Sequence, residues 1–151
     1  MSSFQNVAVL GPRASTLIEV LTGSQFTTSK PSDILSSLRI WNVADSPFRL
    51  WEICSAPQST DVYSLLPTAV SAAILITSPS TISETTSMLS LFRQKPLFLV
   101  IDIPEEDNIQ TDSFLPSSLK SFPIATGDLS SKENIRSVKH AVQEWLYTLK
   151  Y

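Results

Sequence analysis

A chain of 151 residues with 42% hydrophobic and 17% charged side chains is long enough to bury its own core and too apolar to be a disordered segment. Its formal net charge of −3, with 11 lysines and arginines scattered along the chain, argues against a nucleic-acid surface, which needs clustered cations to meet phosphate. A single cysteine, Cys54, and a single histidine, His140, exclude an internal disulfide and a Cys/His zinc cluster.

In chain order, "QNVAVL" at residues 5 to 10 predicts a buried strand running into Gly11. Ala14, Leu17, Ile18 and Leu21 fall at i, i+3, i+4 and i+7, one face of a helix closed by Gly23. A polar Ser/Thr-rich loop fills residues 24 to 33. "LRIWNVA" (38 to 44), the turn "DSP" and "FRLWEIC" (48 to 54) then read as an antiparallel hairpin. "AAILITS" (72 to 78) and "PLFLVIDI" (96 to 103) are short apolar runs, the form of strands covered on both faces. Between them, Thr81 and Glu84 stand at capping-box spacing ahead of a helix. "FPIAT" (122 to 126) predicts a last strand. A final amphipathic helix follows, with Ile135, Val138, Val142, Trp145, Leu146 and Leu149 inward and a capping box at Ser130 and Glu133.

Strands alternating with helices imply an α/β domain. Six strands are expected, five parallel and one, at residues 38 to 44, an antiparallel edge strand. With no repeat and no linker, residues 1–151 read as a single domain. No charged leader, long apolar run or terminal cysteine box is present, so a soluble, cytoplasmic protein without membrane insertion is expected.

The stretch "AVLGPRASTLIEVLTG" (8 to 23) opens like a phosphate-binding loop. In G-x-x-x-x-G-K-S/T, backbone N–H groups and a lysine cradle the phosphates. Here Gly11 is kept and "STL" resembles the end of the motif. The second glycine and the lysine are missing, and Ala14 precedes Ser15. The element order resembles that of small GTPases, whose third strand ends in a sequence like L-W-D-T-A-G-Q. This chain has "LWEICSAPQ", with Glu52 for the aspartate. The base-reading N-K-x-D falls on Asp102, Ile103, Pro104 and Glu105, and the later S-A-K element falls near "IATGDLSSKENI".

The resemblance therefore implies a three-layer, P-loop NTPase-like (small GTPase-like) fold with a degenerate nucleotide site. It leads us to expect a pseudo-GTPase rather than an enzyme, with no cofactor, no metal and no small-molecule substrate. Ser15 and Thr16 are placed to cap the first helix, and would meet Mg²⁺ if a phosphate bound. Glu52 and Glu105 lack a nucleophile or metal to pair with. His140 reads as a surface histidine and Cys54 as a small buried filler.

Trp41, Phe48 and Trp51 crowd the hairpin, on strands that carry the effector-binding aromatics in Rab-like GTPases. They are the candidate protein-binding residues, expected to be exposed at a sheet edge. "RIWNVADSPFRLWEICSAP", "FLVIDIPEED" and "IRSVKHAVQEW" resemble segments of the alpha- and gamma-adaptin-binding protein family, cargo-adaptor assembly factors. That likeness implies a scaffold for adaptin subunits of clathrin adaptors in vesicle trafficking. Centromere protein M, a structural pseudo-GTPase of the inner kinetochore, is the second resemblance; it implies kinetochore partners and a nuclear location. A degenerate GTP-binding protein or GTPase of the small bacterial type is the third reading.

Overall fold

The computed structural model describes residues 5–11, 13–22, 32–35, 38–42, 47–53, 68, 70–92, 95–104 and 115–149. Gly23, Cys54 and Glu105 lie outside the described residues, as does most of the expected 24-to-33 loop.

Strand β1 (Gln5–Leu10) leads to helix α1 (Ala14–Thr22), then β2 (Ser32–Leu35), β3 (Leu38–Asn42) and β4 (Phe48–Ile53). Next come β5 (Ala72–Thr77), helix α2 (Ile82–Met88) with a 3₁₀ turn at Leu89–Phe92, and β6 (Leu97–Asp102). A 3₁₀ turn at Ser117–Leu119, β7 (Ile124–Gly127) and helix α3 (Lys132–Thr148) complete the order.

The strands form one 7-stranded sheet in the order β2-β3-β4-β1-β5-β6-β7. From β4 through β7 every pairing is parallel, with Val7 of β1 between Leu50 of β4 and Ala72 of β5. Strand β3 pairs antiparallel with β4, as the hairpin reading expects.

Two expectations are corrected. The sheet has a seventh strand, and β3 is not its edge: β2 pairs with it antiparallel, with a register shift between Asp33 and Leu35. "SDIL" has a weak strand propensity and no alternation to announce it. Its pairing supplies partners to the backbone groups that an edge β3 would leave open.

Period-two alternation splits the strands' side chains between two apolar layers. Val7, Val9, Leu50, Ile74, Ile76, Phe98 and Val100 pack on one face with Leu17, Ile18 and Leu21 of α1 and Ile135, Val138, Val142 and Leu146 of α3. Ala8, Leu10, Ala73, Leu75, Leu99 and Ile101 pack on the other face with Phe92, Leu115 and Leu119, with Ile82 at the start of α2 and with Leu89 just beyond its end. Strand β5 is buried along its whole length, as a central parallel strand must be.

The helix caps also depart from expectation. Helix α3 is capped by Ser131, whose Oγ accepts from the Asn134 N–H at 3.5 Å. Ser130 instead donates its N–H and its hydroxyl to Asp128 Oδ1. Thr81 does stand at the N-cap of α2, but its side chain makes no cap bond; its Oγ1 accepts from the Ser78 N–H at 3.1 Å.

On α3, Trp145 is half-buried and packs its ring against Phe98, with centroids 5.4 Å apart and planes tilted by 50°. Trp145→Ala is expected to cost about 2–3 kcal/mol in urea unfolding, below the value for a fully buried tryptophan because part of the ring stays in water. A loss under about 1 kcal/mol would mean that the ring pair contributes little.

Candidate ligand crevice at the carboxyl edge of the sheet

Strand β1 passes its chain to α1 on one face of the sheet, and its neighbour β5 passes its chain to α2 on the other. Between two such strands the connections diverge and leave a crevice beyond the carboxyl ends, the usual ligand position in open α/β sheets.

Gly11 lines this crevice with φ +116°, and a Cβ there would lie 2.0 Å from the Ile76 carbonyl oxygen at the end of β5. Only glycine lets the chain turn this close to β5. Arg13 follows with φ 63°, a left-handed conformation uncommon for a residue with a side chain. Its carbonyl accepts from the Leu17 N–H at 3.2 Å, opening α1. The helix starts at Ala14, so Pro12 and Arg13 alone separate Gly11 from its first turn. Ser15 and Thr16 therefore occupy helical positions in that turn, not the N-cap.

At the end of β6, Asp102 holds two elements. Its Oδ2 lies 3.2 Å from Arg13 Nε, and its Oδ1 accepts from the Leu129 N–H at 2.9 Å. The Ile103 N–H donates to the Gly127 carbonyl at 3.0 Å, so the carboxyl ends of β6 and β7 are joined by a second bond. Asp102 thus joins the loop after β1 to the loop before α3.

Glu52, on β4, is buried, and its Oε1 accepts from Trp41 Nε1 at 3.0 Å across the hairpin. It is not brought together with Asp102, since β1 and β5 stand between their strands. His140 lies on the exposed face of α3 with its Nε2 3.1 Å from Glu144 Oε1, an i,i+4 surface contact. Among the described residues, no three His, Cys, Asp or Glu side chains converge as a metal site would require. No described helix is long and apolar enough to cross a membrane.

The expected aromatic surface is corrected. Trp41 and Phe48 are 5% and 3% exposed and belong to the α1/α3 core layer. Strand β2 covers the flank of β3, and the side chains of Trp41 and Phe48 turn toward the helices rather than to solvent. Trp51, two positions from Arg49 on the same side of β4, is half-buried against the opposite layer. Its Nε1 is buried without a hydrogen-bond partner.

The contact at this edge that residue patterns do not reveal is Arg13–Asp102. Its signals were a cation two residues beyond Gly11, in a loop lacking the expected lysine, and a carboxylate closing an apolar strand.

No family model matches the sequence, and no curated protein matches it significantly. Solved structures do match. The chain is similar to translation elongation factor SelB from Methanococcus maripaludis, solved with the GTP analogue GPPNHP, at 16% identity and TM-score 0.59; 97% of this chain is covered, and 35% of that one. A probable GTP-binding protein, engB, gives TM-score 0.62 at 12% identity, with 94% and 97% covered. The FeoB G-domain from Methanococcus jannaschii gives 0.57 at 12% identity, with 95% and 97% covered. This chain spans about a third of the elongation factor's length. The fold is that of a GTPase G-domain: α/β, P-loop NTPase-like, with a mostly parallel sheet.

Proposed function

We propose that this GTPase-like domain binds protein rather than nucleotide, as a scaffold or assembly factor without GTPase chemistry. The observation that carries the reading is the loop after β1, which passes from Gly11 to the first residue of α1, Ala14, across Pro12 and Arg13. A phosphate cradle of the form x-x-x-x-G-K does not fit in that length, and no lysine stands in it. Glu52, in the place of the aspartate at the end of the third strand of the small-GTPase pattern, is buried against Trp41. Each lost charge-assisted contact removes about 1.5–3 kcal/mol. Two such losses would cut deeply into the roughly 8 kcal/mol that micromolar affinity requires.

The test is thermal unfolding with Mg²⁺ and GTP or GDP. A ligand present at a hundred times its Kd adds about 2.7 kcal/mol. In a domain of this size that raises Tm by several degrees. No shift is expected.

A second reading, a degenerate GTP-binding protein, is favoured by the neighbours, one solved with a GTP analogue and one described as a probable GTP-binding protein. A shift in the same assay would support it. The finer roles, adaptin-directed assembly in trafficking or an inner-kinetochore subunit, rest on sequence resemblance alone. Co-purification of adaptin subunits or of centromere proteins separates them. Of the three hairpin aromatics, Trp51 alone is not fully buried.

A further inference from the structure

We propose that the Arg13–Asp102 ion pair is a latch across the carboxyl-edge crevice, held shut by charge and opened by movement of Arg13. Strand β5 lies between β1 and β6, so the pair spans the end of β5 at the point where the connections diverge. Two strand spacings are about 9–10 Å, within reach of an arginine side chain extending from the loop after β1. A group placed over the carboxyl end of β5 would meet this guanidinium.

The two halves of the latch are unequally held. Asp102 is 16% exposed and is fixed a second time by the Leu129 N–H, while Arg13 is 48% exposed. A pair with one half-exposed member is weak and is screened by salt. Against it stands the left-handed backbone of Arg13, which a residue with a Cβ adopts at a cost. Closure sets a weak charge contact against backbone strain. Its release lets Arg13 return to an ordinary φ, which moves the carbonyl that receives the Leu17 N–H and loosens the first turn of α1. Leu129 stays bonded to Asp102 throughout. The latch is independent of which partner the protein serves.

Amide hydrogen exchange reads both ends separately. Arg13→Gln removes the charge, and Asp102→Asn removes the counter-charge while keeping an acceptor for Leu129. Each is expected to speed exchange at Leu17 about five-fold or more, to leave Leu129 unchanged, and to add nothing when the two are combined. In the unmodified chain, raising NaCl from about 0.05 M to about 1 M should reproduce the Leu17 effect. That arm decides the matter even if a variant fails to fold. Unchanged Leu17 exchange in high salt, additive effects in the double variant, or equal acceleration at Leu129 would each overturn the latch.

Discussion

Replacing Trp41 and Phe48 by alanine together is expected to unfold the protein rather than strip a binding surface. Both rings lie in the layer between the sheet and helices α1 and α3. Truncating a buried aromatic costs about 3–5 kcal/mol. Two such losses equal or exceed much of the roughly 5–15 kcal/mol that holds a domain folded. Trp41→Ala also takes from the buried Glu52 the indole N–H that donates to its Oε1. Trp41→Phe separates the two contributions. It keeps most of the ring and loses the donor, for an expected cost of about 1–3 kcal/mol. Urea unfolding followed by circular dichroism should show no cooperative transition in the double variant. A folded double variant within about 1 kcal/mol of the parent would return these aromatics to the surface.

Gly11→Ala is the second large effect. At φ +116° a side chain is strained wherever it points, and the new Cβ would lie 2.0 Å from the Ile76 carbonyl oxygen. That oxygen belongs to the backbone of a fully buried central strand, so it cannot rotate aside. Backbone strain alone contributes about 1–3 kcal/mol. Relieving the overlap must also part β1 from β5. A loss of at least about 3 kcal/mol is expected in the same unfolding measurement. A loss below about 1 kcal/mol would show that the turn after β1 has another conformation within reach.

Much of the fold was legible because strong signals coincide. The unbroken apolar runs of β5 and β6 require burial on both faces, and Ile135, Val138, Val142 and Leu146 fall on one helical stripe. Tryptophan density along a span misplaces the aromatic site, because the pleat sends alternate side chains to opposite faces. Phe48 and Leu50 share one face of β4 and Trp51 takes the other, so alternation already forbids a single patch. Trp41 pairs with Leu50 and goes inward with it. The seventh strand was illegible for a different reason: "SDIL" is a strand only because β3 offers it an edge. The cap of α3 sits one residue later than the spacing suggests, on Ser131, while Ser130 bonds to Asp128. Nor does any local pattern report an arginine reaching past one strand to a carboxylate on the next.

Under the proposed function, a short turn and internal contacts stand where a GTPase carries its phosphate cradle. Glu52 is turned to Trp41, and Asp102 to Arg13 and Leu129. The most direct test is a calorimetric titration of the purified chain with the GTP analogue GPPNHP and Mg²⁺. No saturable heat is expected at protein concentrations of about 50 μM, an affinity weaker than about −6 kcal/mol. Saturable binding with a Kd near 1 μM or tighter, roughly −8 kcal/mol, would contradict it.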